Sequence, residues 1–166
     1  NLQTVCKLNV TRGRKDIDLL RTLIEAEKFN LGFLCVDDET MRFLNKRFRK
    51  QDKPTDILSF PFYPGMTPPG VLPQPERPED YNLGDIYVGI PYVASTCQER
   101  DMEIYDALAI LATHGLCHLL GYTHDTEATW RQMFNKELKI LHKYNQMTGA
   151  SLKPFTGVEH SEEQSE

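Results

Sequence analysis

The strongest constraint on the fold is the string Thr113-His114-Gly115-Leu116-Cys117-His118-Leu119-Leu120-Gly121-Tyr122-Thr123-His124, which gathers three of the chain's five histidines into eleven residues. His114 and His118 stand four apart, about one helical turn, so their imidazoles leave the same helix face. His124 would miss that face if the helix ran on. Gly121 can take a left-handed conformation, end the helix and turn the chain back, which brings the third imidazole to the other two. Three neutral nitrogen donors suit zinc, and three protein ligands rather than four leave a position open, as in catalytic sites. The expectation is therefore one Zn2+ held by His114, His118 and His124. Cys117 points off that face. With Cys6, Cys35 and Cys97 it forms no C-x-x-C pair, and all four read as reduced core residues.

The remaining pattern says what surrounds this helix. Leu2, Cys6, Leu8 and Val10 alternate with polar residues, predicting a strand to about Thr11. Asp16 opens a helix to about Lys28 with Ile17, Leu20 and Ile24 on its apolar side. The nearly continuous apolar run Leu31 to Val36 suits a central strand covered on both faces. Asp37 or Asp38 caps a second helix that buries Met41, Leu44 and Phe48 and is stopped by Pro54. Thr55 to Phe62 reads as a third strand, at an edge or an end because Pro61 lacks an amide donor.

From Tyr63 to Tyr81, six prolines and two glycines mark a long irregular loop, an insertion or binding flap. Leu83 to Val88 follows as a strand antiparallel to the third, since no crossover helix separates them. A short helix after Pro91 runs to about Arg100. Asp101 then caps the histidine helix, Met102 to Leu120, whose apolar character on most sides makes it central. Thr126 caps a last helix, with Trp130, Phe134, Leu138, Leu141 and Tyr144 inward, ending near Gly149.

The fold class expected is α+β: a small mixed four-stranded sheet packed with about five helices, with the zinc-binding helix in the centre. Residues 1–149 make a single domain containing the proline-rich loop 63–81, and residues 150–166 a flexible acidic tail. No stretch approaches a membrane span. The net charge of −5 is uneven, because Glu159, Glu162, Glu163 and Glu166 account for four negatives and leave residues 1–158 at −1. Against Asp52 alone stand Arg42, Lys46, Arg47, Arg49, Lys50 and Lys53. A near-neutral body with one basic ridge suits a polyanionic substrate.

An open zinc site polarises a carbonyl or phosphoryl oxygen and lowers the pKa of bound water to about 7, so hydrolysis is the natural reaction class. The spacing H-x-x-x-H-x-x-G-x-x-H is similar to that of metzincin proteases, which carry a glutamate base after the first histidine. Here that place is Gly115, which moves no proton. A phosphodiester instead needs cations on its oxygens, and Arg49, on the basic ridge just before the third strand, is the leading candidate. Lys46, Lys50, Lys53 and Ser59 are further candidates for substrate contact. Asp56, Asp85 and Asp125 are each possible general bases.

The string His114-Gly115-x-x-His118-Leu119-x-Gly121-Tyr122-x-His124, with Arg49, Pro54-Thr55-Asp56-Ile57-Leu58-Ser59-Phe60-Pro61 and Leu83-Gly84-Asp85-Ile86, closely resembles the YbeY family of endoribonucleases from the first strand to the last helix. The resemblance implies a zinc-dependent endoribonuclease specific for single strands, acting in ribosomal RNA maturation and ribosome quality control. It implies partners in the small ribosomal subunit, including a small-subunit ribosomal protein. It assigns the metal to His114, His118 and His124 and a catalytic part to Arg49.

Two positions depart from the usual bacterial pattern. Cys117 stands where leucine is common, and Thr123 where aspartate usually precedes the third histidine. Asp125 is the candidate to replace that carboxylate. The phrases around Thr113 and Asp80 resemble the eukaryotic branch, which implies mitochondria, with the cytoplasm as the alternative. Two rival readings remain at this stage: a ribosome assembly factor in which zinc only holds the fold, and a metallopeptidase.

Overall fold

The computed structural model describes residues 5–7, 29–66 and 68–155. The expected helix from Asp16 to Lys28 and residues 156–166 of the expected tail lie outside them, as does most of the first strand, of which Val5–Lys7 (β1) is described.

One mixed sheet runs in the order β1-β2-β4-β3, where β2 is Asn30–Val36, β3 is Ile57–Pro61 and β4 is Asn82–Gly89. β2 lies antiparallel to β1 and parallel to β4, and β3 returns antiparallel to β4, as the missing crossover required. β3 is at the sheet edge, and its last residue is Pro61, where an absent amide costs no ladder bond.

Four α-helices occur among the described residues: α1 Asp38–Arg49, α2 Ile90–Arg100, α3 Ile104–Leu119 and α4 Glu127–Thr148. The about five expected include the undescribed stretch 16–28. Asp37 caps α1, accepting from the Thr40 amide at 2.9 Å. α1 ends earlier than expected: Lys50 takes a left-handed conformation four residues before Pro54.

Alternation along β3 and β4 sorts the packing into two layers. Ile57, Ile86 and Val88 join the larger core under α3, and Leu58 packs with Met41 and Val36 under α1. Within α1 the expected buried stripe needs correction. Met41 is buried, but Phe48 is exposed and meets Phe60 edge to face, while Asn45 is buried in its place. Asn45 donates to the Lys53 carbonyl at 2.8 Å and so ties down the loop after the helix.

α3 is central, as expected, although it starts at Ile104. Asp101 does not cap it. Asp101 takes a left-handed conformation that closes α2, its amide bonding the Cys97 carbonyl, so the end of one helix outcompetes the start of the next. Gly115 sets how closely α3 approaches the sheet: a Cβ there would lie 2.9 Å from Ile86 Cδ1 and 3.0 Å from Ile57 Cδ1.

α4 begins with a reciprocal capping box between Thr126 and Thr129 and ends at Gly149, both near the expected positions. Its buried stripe is Met133, Glu137 and Leu141, whereas Leu138 and Tyr144, expected inside, are exposed. Residues 150–155, expected to belong to the tail, are held against the body. Asn145 both donates to the Leu152 carbonyl and accepts from the Leu152 amide, each at 3.0 Å, and Pro154 is buried. The proline-rich loop is docked rather than loose: Leu72 is buried and the Gly70 amide bonds the Leu120 carbonyl at 2.7 Å. Among the described residues no helix is long and apolar enough to cross a membrane.

Candidate active site

The three histidines converge because α3 stops where its sequence says it should. Gly121 has a φ of 84°, in the left-handed region. Its amide bonds the His118 carbonyl, and the Tyr122 amide bonds the Cys117 carbonyl, each at 3.0 Å, a Schellman closure. The chain then reverses and carries His124 back over the helix face. The ring of His124 lies 5.5 Å from that of His114 and 5.1 Å from that of His118, centroid to centroid. One nitrogen from each ring falls within 4.8 Å of the others, an arrangement that could hold a metal ion.

The hydrogen bonds around the rings decide which nitrogens face inward. His114 Nδ1 lies 2.7 Å from Oε1 of Glu137, which is 2% exposed. His118 Nδ1 lies 3.0 Å from the Tyr122 carbonyl oxygen. A carboxylate and a carbonyl only accept, so both Nδ1 atoms carry their proton and donate it. In the neutral tautomers both Nε2 atoms then hold bare lone pairs, and these face each other at 3.0 Å. Two bare lone pairs at that distance repel unless a proton or a metal ion lies between them. A tetrahedral zinc with Zn–N bonds of about 2.0–2.1 Å brings its nitrogens to about 3.3 Å, close to what the pair already adopts.

Burial, aided by the neighbouring His114, His124 and Arg49 charges, holds His118 down to about 3 against the opposing bond to Tyr122, so it stays a neutral donor near pH 7. Cys117 is fully buried and outside the ligand cluster. Burial pushes its thiol up to about 12, with the Glu137 charge adding to the effect, as for a core thiol.

The histidines border a cavity of about 180 Å³ together with Arg49, Asp56, Ile57, Ser59, Ile110, Leu111 and Phe155. Of the expected substrate contacts, Arg49 and Ser59 are there. Lys46, Lys50 and Lys53 do not line it. Lys46 pairs with Asp52 at 2.7 Å, alongside Arg42 at 2.6 Å, and Lys50 Nζ donates to the Arg47 carbonyl.

The three aspartates also separate. Asp56 borders the cavity, its Oδ1 accepting from the Ile57 amide at 2.7 Å and the Thr55 hydroxyl at 3.1 Å. Asp85 neighbours Ile86 in β4 and therefore projects from the sheet face away from α3, over Gly32, which removes it as a base here. Asp125 is exposed and does not line the cavity.

Two residues that the sequence reading missed are Glu137 and Phe155. Glu137 carries a signal, since it is the charged member of the i, i+4 series Met133, Glu137, Leu141. Phe155 lies beyond the last helix, where no periodicity announces it.

The family model described as Endoribonuclease YbeY matches residues 10–145. This chain belongs to the YbeY family. A human protein named Endoribonuclease YbeY is 44% identical over 156 residues, covering 94% of this chain and 92% of its own. Bacterial proteins of the same name are 39% identical in Chelativorans, over 75% of this chain and 78% of theirs, and 37% identical in Gloeobacter violaceus, over 76% and 62%. The three histidines, Arg49, Asp56, Ser59 and Glu137 all lie inside the YbeY match, and Phe155 lies outside it.

Proposed function

We propose that this chain is a zinc-dependent endoribonuclease that cuts single-stranded RNA in the cavity below the histidine turn. The observation that carries the metal is the pair of Nε2 lone pairs 3.0 Å apart, each fixed by a partner on the far side of its ring. Membership of the YbeY family and the shared name of its human and bacterial relatives support the substrate class.

His114 and His118 would hold the ion through Nε2, with His124 closing the third side from its exposed position. When bound, zinc supplies Lewis-acid stabilisation of the phosphoryl oxygens. The chain's own residues do the rest. Arg49 presents a planar fork of donors that binds two phosphate oxygens and offsets the charge that builds on them in the transition state. Ser59, on the β3 face toward α3, donates to the same group. Asp56, whose Oδ1 is bonded to the Ile57 amide, takes on Oδ2 the proton released by the attacking hydroxyl, water or the neighbouring ribose 2′-OH, as its oxygen bonds to phosphorus and the P–O bond to the leaving strand breaks. Glu137 keeps the His114 proton on Nδ1 and the ring in its orientation.

Against a peptidase, Gly115 stands where such an enzyme carries its glutamate, and even a Cβ there would lie 2.9 Å from Ile86 Cδ1 and 3.0 Å from Ile57 Cδ1. The resemblance to the eukaryotic branch supports a finer reading. The physiological RNA is ribosomal, the work is maturation and quality control of the small subunit beside one of its proteins, and the compartment is the mitochondrion. The test is chelation and metal return. Zinc content, set at one ion per chain, and cleavage of a single-stranded RNA should be lost together on chelation and return together with zinc alone. RNA binding without cleavage in the fully zinc-loaded protein would instead favour a structural zinc in an assembly factor.

A further inference from the structure

The cavity lining is of two kinds. Arg49, Asp56, Ser59 and the histidines suffice for a metal and a phosphate, yet apolar Ile57, Ile110, Leu111 and Phe155 line it as well. Phe155 arrives there from beyond α4. Its segment is anchored by the double bond pair between Asn145 and Leu152 and by buried Pro154, and the Arg100 guanidinium lies over its ring, 5.7 Å from the centroid. The half-buried ring is thus held in place at the margin of a charged site.

We propose that Phe155, backed by Ile110 and Leu111, is the surface on which the base next to the scissile phosphate stacks, and that this contact restricts the site to unpaired RNA. The inference rests on the endoribonuclease reading and adds a specificity-determining residue to it. A nucleotide has the same duality as the cavity: an anionic phosphate that fits the polar residues and a flat apolar base that fits the apolar ones. Every base has such a face, so the contact is sequence-tolerant. A base inside a duplex is already stacked on both sides and would have to leave its neighbours to reach Phe155, whereas an unpaired base has a face to offer.

The experiment compares wild type, Phe155→Ala and Phe155→Trp on a single-stranded oligoribonucleotide, its duplex, and the same strand carrying one abasic residue beside the mapped cut. Phe155→Ala should raise KM by about 5- to 150-fold, the range of base–aromatic stacking, with kcat nearly unchanged. It should narrow the preference for single strand over duplex by a similar factor, and Phe155→Trp should restore both. The abasic residue should cost wild type the same factor and cost Phe155→Ala nothing further.

Equal KM values for wild type and Phe155→Ala would overturn the proposal, as would abasic and mutant losses that multiply. Zinc content and melting temperature check each variant. Should Phe155→Ala fold poorly, the abasic substrate with wild type decides, and insensitivity to the missing base overturns the inference alone. Absence of any RNA cleavage by zinc-loaded wild type would overturn the endoribonuclease reading, and this inference with it.

Discussion

Replacing Glu137 by glutamine tests whether the buried carboxylate acts on the metal through His114. The glutamine is nearly isosteric and can still accept from Nδ1, so the ring keeps a partner while the negative charge that raises its basicity is gone. Glu137 is 2% exposed and 2.7 Å from Nδ1, so little solvent screening dilutes the change. Loss of such a partner weakens metal binding by about 10- to 100-fold, or about 1.4–2.7 kcal/mol. With free zinc well above both dissociation constants, the stabilisation conferred by the metal falls by the same amount. For a chain of this size that is a loss of about 3–10 °C from the zinc-induced rise in melting temperature.

The assay is a competitive chelator titration of both proteins, with melting curves in zinc and in chelator to separate metal affinity from intrinsic stability. Zinc affinity of Glu137→Gln within about threefold of wild type, well short of the expected range, would refute a role for the carboxylate in holding the ligand. A fall in melting temperature equal in zinc and in chelator would assign Glu137 to packing alone.

Gly115→Val should destabilise the protein by about 1–3 kcal/mol, because added carbons meet Ile86 and Ile57 where even a Cβ comes to 2.9 and 3.0 Å. An unchanged or raised melting temperature would mean that α3 can retreat from the sheet. Hydrogen bonds from Arg42 and then Lys46 hold the Asp52 carboxyl down to about 2, so its ion pairs are complete above the ordinary value of 3.8 and lost as pH falls through about 2. Carboxyl-carbon NMR should give a midpoint near 2 that Arg42→Ala raises; an ordinary midpoint in the wild type would mean the pairs do not form. With Lys46 already engaged by Asp52, Lys46→Ala should slow RNA cleavage far less than loss of Arg49, and equal losses would place substrate along the outer ridge.

The histidine cluster was legible because local chemistry determines it. Helical spacing puts His114 and His118 on one face, and a glycine ends the helix just where the third histidine must return. Arg49 and Ser59 followed from their placement around β3, and the antiparallel return of β4 from the missing crossover. What stayed hidden depends on tertiary choice. In α4 the expected inner face of Trp130, Phe134, Leu138, Leu141 and Tyr144 holds at Leu141, but Met133 and Glu137 are buried beside it while Trp130 and Phe134 are only half-buried, and the carboxylate goes inside because His114 is there to donate to it.

In α1, Asn45 displaced Phe48 from the interior because the loop at Lys53 needed a donor. Asp101 looked like a cap by residue type, but α2 used it first. Lys46, Lys50 and Lys53 shared a basic ridge with Arg49 in sequence, yet only Arg49 lines the cavity. Phe155 sits past the end of any pattern, in a segment held by the Asn145 side chain bonding the Leu152 backbone seven residues away, which leaves no periodic trace.

The most direct measurement is cleavage of a labelled single-stranded RNA and of its duplex by wild type and by Arg49→Ala, from preparations shown to hold equal zinc. Zinc-loaded wild type should cut the single strand in preference to the duplex, and Arg49→Ala should cut it at least ~10²-fold more slowly, an effect on the transition state of about 2.7 kcal/mol or more. Equal cleavage by the two proteins at equal zinc would contradict the account, because the cation that lines the histidine cavity would then have no part in the reaction.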